Sequence, residues 1–280
     1  DDASYVQETG HPAYRADDAL WLFPTVYKYV SESGDMAFID EVIPFANKDE
    51  GTVYEHLKRA VDFSMNHLGP HGLPAGLYAD WNDCLRLGKD GESSFVALQY
   101  YYAMTILRKF AAYKKDDAYI AFLDKKQKEL GELIQKLCWN EDRFIRGFTE
   151  KGEIIGKRTD KEANMWLNPQ SWAVISGLAT DEQADKALDM VNRQLNTEYG
   201  VVLMDPPSRK IPVSFHSHRA GLSSRRRFAD MGNAPLAISR KMHRPRRMTG
   251  RKSVSWSHTA TDSSRRERQA RTLDARTCTG

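Results

Sequence analysis

The sequence predicts an all-α dominated fold, an antiparallel array of helices in which helix pairs close into a barrel, and three observations predict it. Apolar residues recur every three or four positions over several long stretches, strand signals are few and short, and no fixed-period repeat points to an open solenoid. In chain order, residues 18–30 read as a helix in spite of Pro24. Thr52 and Glu55 form a capping box, after which Tyr54, Leu57, Val61, Met65 and Leu68 step along one face until Gly69 and Pro70 stop the run. A second long helix over residues 94–113 is carried by Phe95, Leu98, Tyr102, Ile106 and Phe110. A third follows Asp116 and Asp117 on Ile120, Leu123, Leu130, Ile134 and Leu137. Residues 166–178 and 181–195 form a close helical pair with Gly177 near the junction. Residues 143–148 and 153–155 read as a hairpin around Lys151 and Gly152, and residues 200–203 as a short strand. At one end of such a barrel the loops converge on a central cavity, where the polar, aromatic, glycine-bounded stretch 69–93 belongs.

A hydrophobic fraction of 41% beside 28% charged residues is that of a soluble globular protein, and 280 residues suffice for one large domain or two ordinary ones. No window approaches the roughly 20 consecutive apolar residues of a membrane-spanning helix, and no basic-then-apolar signal pattern opens the chain. A soluble, cytoplasmic protein with no membrane partner is expected. Cys84, Cys138 and Cys278 lie far apart without disulfide or zinc spacing, which fits a reducing compartment. The chain opens on Asp1 without Met and reads as a piece of a longer protein.

The net charge of +3 conceals two chemically different parts. Residues 1–207 hold 23 Lys+Arg against 34 Asp+Glu, whereas residues 208–280 hold 18 against 4, and 15 of those 18 are Arg. The second part shows neither helical nor alternating periodicity and is expected to be disordered. Its clusters SSRRRF, RPRR and SSRRERQAR are of the kind that neutralises phosphates of nucleic acid or an acidic membrane.

The stretch GLYADWNDCLRLG, residues 76–88, sets Asp80, Trp81, Asn82 and Asp83 side by side between glycines. Cleaving a glycosidic bond takes a proton on the leaving oxygen and a nucleophile at the opposite face of the anomeric carbon, so a carboxylic acid beside a sugar-binding ring is the least equipment. Asp80 and Asp83 fall on one side of the segment if it is helical and on opposite faces if it is extended. Trp81 offers a flat apolar face to a sugar ring, and Asn82 can tether the turn. From these residues alone, a capped turn and a sugar site with its proton donor are both open.

GLPAGLYADWNDCLRLG followed by GESSFVALQ resembles the catalytic segment of the cellobiose phosphorylase family, glycoside hydrolase family 94. Upstream, YRADDALWL, with Arg15, Asp17, Asp18, Trp21 and Leu22, is similar to that family's sugar-binding entry to its catalytic barrel. Downstream, LNPQSWAVISGLA and VVLMDPP occur in similar form and in the same order, so the resemblance spans residues 1–207. It implies an (α/α)6 barrel over residues 1–207, here incomplete and carrying a small β-hairpin, with residues 208–280 as a separate tail. It also implies a reversible, inverting phosphorolysis. A β-linked glucosyl disaccharide such as cellobiose reacts with inorganic phosphate, as co-substrate and without cofactor or metal, to give an α-sugar 1-phosphate and a free sugar.

Residue by residue, the resemblance implies that the last Asp of the Asp-Trp-Asn-Asp motif, Asp83, is the general acid and that Trp81 lines the donor subsite. Asp18, the second Asp of the Asp-Asp-x-Leu-Trp motif, holds donor-sugar hydroxyls, and Arg15 is the arginine nearest to hand for phosphate. Asp17, Asp80 and Asn82 are supporting residues. Glu92 and Gln99 lie in the matching stretch without an assigned role, Trp166 and Trp172 read as packing residues, and His11, His56, His67 and His71, which lack ligand spacing, as solvated or core histidines. As an acid at working pH, Asp83 needs a raised pKa, from desolvation by Trp81 or from the charges of Asp80 and phosphate. Family members pair as dimers, which implies a homodimer for the full-length protein. LRLGKDGESSF is more similar to the cellobiose, cellodextrin or laminaribiose branches than to the chitobiose branch.

The family carries, after DPP, a Lys-Glu-Asn-Gly-Gly-Ile-Phe type motif with a phosphate-binding His just beyond, and nothing like it follows Ser208. With the abrupt change of composition, residues 208–280 read as an out-of-frame translation, and no nucleic-acid partner is assigned to them. The chain is therefore expected to be an impaired fragment, marginally stable or prone to aggregate, with little or no phosphorolysis of its own. Two other readings stand beside this one: an inverting glycoside hydrolase of the same architecture, and a noncatalytic carbohydrate- or nucleic-acid-binding protein.

Overall fold

The computed structural model describes residues 15–45, 48–77, 79–82 and 85–208. Asp83, expected to be the general acid, and the Arg-rich tail from residue 209 lie outside the described residues. The architecture is helix-rich, with α1 (Leu22–Ser33), α2 (Val53–Asn66), α3 (Ser94–Lys114), α4 (Asp117–Cys138), α5 (Leu167–Ile175) and α6 (Asp181–Met190).

The helix expected from residue 18 is divided: Asp18–Trp21 forms a 3-10 turn, and α1 follows directly. Pro24 is the third residue of α1, inside the first turn, where its missing N–H has no intrahelical partner to lose. α2 opens on the expected capping box. Glu55 N–H donates to Thr52 Oγ1 at 3.2 Å, and Thr52 N–H donates to Glu55 Oε2 at 2.7 Å.

α3 is the centre of the core. Phe95, Leu98 and Leu107 are fully buried, and the helix packs on α1, α2, α4 and α5. A helix apolar on nearly every side belongs in the middle of a bundle. After Lys115 and Asp116 the chain turns back as α4, where the Asp116 carboxylate caps the helix by accepting from Tyr119 N–H at 3.2 Å. α4 buries only a stripe, including Leu123, Leu130 and Ile134, and shows Lys128 and Glu132 to solvent.

α5 begins at Leu167, since Trp166 belongs to a strand, and Trp172 on α5 meets Trp21, Phe95 and Tyr102 edge-on at 5.4, 5.9 and 6.0 Å. α6 opens on a second capping box, Thr180 with Gln183, and widens into a π-helical turn over Val191–Leu195.

The strands are short and serve as ties. β1 (Val42–Pro44) pairs with β2 (Glu50–Thr52) ahead of α2, and β3 (Glu92–Ser93) leads into α3. The single hairpin strand expected at residues 143–148 is split between two sheets. β4 (Trp139–Asn140) pairs with β5 (Arg143–Phe144), whereas β6 (Gly147–Phe148) is flanked by β7 (Ile154–Ile155) and β3. The change of partner occurs where Gly147, at φ +153°, brings its backbone so close to β3 that a Cβ would stand 2.1 Å from Glu92 O. β8 (Met165–Trp166) pairs with β11 (Met204–Asp205), and the strand expected at residues 200–203 is only β10 (Gly200–Val201), paired with β9 (Asn196–Thr197).

Candidate active site

Two stretches singled out in the sequence meet through their backbones. Ala16 N–H donates to Ala79 O at 2.9 Å, and Arg15 bridges to both Leu77 and Ala79. Arg15, Asp17 and Asp18 are thereby joined to the segment bearing Asp80, Trp81 and Asn82.

Asp80 is buried, and its carboxylate is held from three sides. Arg146 Nη2 donates to Oδ1 at 2.7 Å and Oδ2 at 2.6 Å, Ser93 Oγ donates to Oδ2 at 2.7 Å, and Asn82 N–H donates to Oδ1 at 3.0 Å. The last bond closes an Asx turn, which is the tether expected at Asn82 with the roles exchanged: the aspartate side chain does the capping. Ser93 Oγ also accepts from Arg146 Nη1 at 3.0 Å and, as the N-cap of α3, from Val96 N–H at 3.3 Å. One hydroxyl thus ties the start of the central helix to the segment that leads to Asp83. The guanidinium lies near the rings of Phe95 and Trp166, 5.9 and 5.4 Å from their centroids. Arg146 at contact distance makes Asp80 one half of a buried ion pair.

Glu92 is fully buried and fastens the loop before β3. Its Oε1 accepts from the N–H groups of His71 at 2.9 Å and Leu73 at 3.0 Å, and its other oxygen pairs with His71 Nδ1. The His71 ring lies tilted against Phe148, with centroids 4.5 Å apart, so His71 is a partnered, half-exposed residue, more specific than the solvated or core histidine expected. Gly69 is required here, because a Cβ would come within 2.2 Å of Glu92 Cγ.

Asp17 is buried with Oδ2 accepting from Trp21 Nε1 at 2.8 Å, while Oδ1 has no hydrogen-bond partner among the described residues. Burial pushes this carboxyl up to about 7, the Asp80 and Asp18 charges push the same way, and the Trp21 hydrogen bond opposes them. Asp18 is exposed at the start of the 3-10 turn. Trp81 and Asn82 are half-buried, with Trp81 packed against the main core and Asn82 O accepting from Leu85 N–H at 2.9 Å. Arg146, Ser93 and Glu92 are the members of this cluster that the motifs did not assign. Arg146 had one signal in the sequence, a lone cation inside the otherwise apolar run FIRGF. Among the described residues no group of three or more His, Cys, Asp or Glu is placed to hold a metal ion, and no helix is long and apolar enough to cross a membrane.

Residues 2–218 match the family model for the glycosyl hydrolase 94 superfamily, catalytic domain. The chain belongs to that superfamily. An N,N'-diacetylchitobiose phosphorylase of Vibrio proteolyticus is 38% identical over 193 residues, covering 68% of this chain and 24% of the relative. A solabiose phosphorylase of Paenibacillus borealis is 34% identical over 200 residues, covering 70% and 26%. A cellobionic acid phosphorylase of Neurospora crassa is 31% identical over 211 residues, covering 74% and 26%. The chain spans about a quarter of the length of these curated relatives. A fold likeness extends to a GH78 family rhamnosidase of Bacillus sp. GL1, with a TM-score of 0.51 at 14% identity over 64% of this chain and 17% of that one. The branch reading from LRLGKDGESSF gains no support from these identities, since a chitobiose phosphorylase is among the relatives above 35%.

Proposed function

We propose that this glycosyl hydrolase 94 domain serves a disaccharide phosphorylase that works with inversion on a β-linked sugar pair. Asp83 donates a proton to the leaving glycosidic oxygen while phosphate attacks the anomeric carbon from the opposite face. Phosphate arrives already anionic, so the second carboxylate that an inverting hydrolase uses to activate water is not needed. Trp81 walls the donor subsite, Asp18 binds donor hydroxyls and Arg15 reaches phosphate. Asp17, Asp80 and Asn82 hold these groups in place, and inorganic phosphate is the co-substrate, with no cofactor. The observation that carries the reading is the backbone pairing of residues 15–16 with residues 77–79, which joins the two stretches that bear all these side chains.

The relatives' names support phosphorolysis over hydrolysis, since chitobiose, solabiose and cellobionic acid phosphorylases all align here. Because those names differ in the sugar, the substrate is proposed only as a class, a β-linked disaccharide. The reading includes a cytoplasmic location and a homodimer for the full-length protein. Phosphate and a panel of β-linked disaccharides, followed by ³¹P NMR, test it: α-sugar 1-phosphate should form and disappear with Asp83→Asn. Because the sequence departs from the family pattern after Ser208, low turnover is expected, and the assay calls for high protein concentration. Release of two free sugars at a rate indifferent to phosphate would overturn the reading in favour of hydrolysis.

A further inference from the structure

We propose that Arg146 is a positioning residue for the proton donor, a clamp that fixes the direction in which the chain leaves Asp80 toward Asp83. The proposal rests on the phosphorylase reading for its catalytic consequence, though not for the clamp itself.

Arg146 is itself fixed on both sides before its side chain does anything. Its N–H donates to Ile155 O at 2.7 Å, and its carbonyl accepts from Ser94 N–H at 3.2 Å, so β7 and the first residue of α3 hold its backbone. From that anchored position the guanidinium reaches two acceptors at once, the Asp80 carboxylate through Nη2 and Ser93 Oγ through Nη1. A planar fork can serve both in fixed directions, whereas an ammonium on a flexible stem cannot. Asp80 passes the constraint on, because the oxygen that meets Arg146 also accepts from Asn82 N–H, which sets the turn one residue before Asp83. Ser93 passes it the other way, into the N-terminus of α3. With side chains 1% and 2% exposed, neither partner of the Arg146–Asp80 pair exchanges its contact for water. The segment therefore takes its orientation from residues on β6's approach and at the start of α3, and not from its own short-range bonds alone.

Hydrogen–deuterium exchange and steady-state kinetics on the chain and its Arg146→Met and Arg146→Lys variants test the clamp. In Arg146→Met, exchange should rise several-fold in peptides covering residues 76–82 and 92–94 and stay unchanged in α4 and α6. The kcat for phosphorolysis should fall about 100-fold, the cost of a misplacement near 1 Å, with KM for the disaccharide little altered. Arg146→Lys, which keeps the charge and loses the fork, should recover part of the kcat. If Arg146→Met does not fold, the double variant Asp80→Asn/Arg146→Met removes both buried charges. It should fold cooperatively while its peptides at residues 76–82 still exchange fast. A uniform rise in exchange, full kcat in a folded Met variant, or a change confined to KM would each overturn the proposal. Should the unsubstituted chain form no sugar 1-phosphate from any disaccharide, the phosphorylase reading fails, and the exchange pattern alone decides the clamp.

Discussion

Ion pairs occur in this molecule in two settings. At the N-terminal end of α3, Arg146 and Asp80 meet at 2.6 Å with their side chains 1% and 2% exposed; on the outer faces of α3 and α4, Arg108 and Asp124 meet at 2.5 Å with 46% of each side chain exposed. The distances are nearly equal, and their consequences are not. Losing one partner on the outer face leaves a charge that water solvates at once, whereas losing one inside leaves a charge with neither water nor counter-ion. Burial rather than contact distance ranks these interactions, and among the described residues the pair with both side chains buried lies on the segment expected to form the active site.

The largest expected effect is at the buried pair. Arg146→Met should lower the unfolding free energy by about 3–5 kcal/mol, read from urea titrations, and a change as small as that of a surface pair would erase the distinction. Next comes Glu92→Ala, which strips an acceptor from the N–H groups of His71 and Leu73 at about 1–3 kcal/mol per orphaned donor. Glu92→Gln keeps an oxygen for both donors and should lose clearly less, so equal losses from the two variants would count against the backbone role of Glu92.

Asp17 sharpens the comparison, as a buried carboxyl that forms no ion pair among the described residues. It holds its proton more tightly folded than unfolded, its pKa being raised from 3.8 to about 7, so its contribution to stability is full below pH 3.8 and lost as the pH rises toward 7. The stability difference between the chain and Asp17→Asn should therefore slope across that window. A flat difference would place Asp17 with the solvated carboxylates. The smallest effect is expected at the surface, where Arg108→Ala should leave the denaturation midpoint within error.

What the sequence made legible was local. The Thr52–Glu55 capping box and the apolar faces of α2, α3 and α4 follow from residues a few positions apart, whereas the burial of nearly every side of the first half of α3 comes from its place in the assembled bundle. Boundaries shifted where a proline sits, as at Pro24 and Pro169, because a first helical turn accepts proline and periodicity alone does not say where that turn begins. The expected hairpin split because Gly147 gives its backbone to β3, a long-range approach with no local signature. At the site, Asp80 and Asp17 were visible within motifs, but their environments were not. The partners of Asp80 lie at residues 93 and 146, and the burial that lifts Asp17 is a property of the assembled core.

The pairing of Asp80 with Arg146, 66 residues later in the chain, also has a temporal side. At ribosomal rates of about 5–20 residues per second, the aspartate leaves the tunnel roughly 3–13 s before its arginine does. Within that interval α3 is completed and can pair with α2, while the DWN segment still lacks the cation that balances its carboxylate and stays in water. Synthesis thus imposes an order in which the helical frame comes first, and the segment carrying the proposed chemistry is drawn inward only when β5 and β6 emerge.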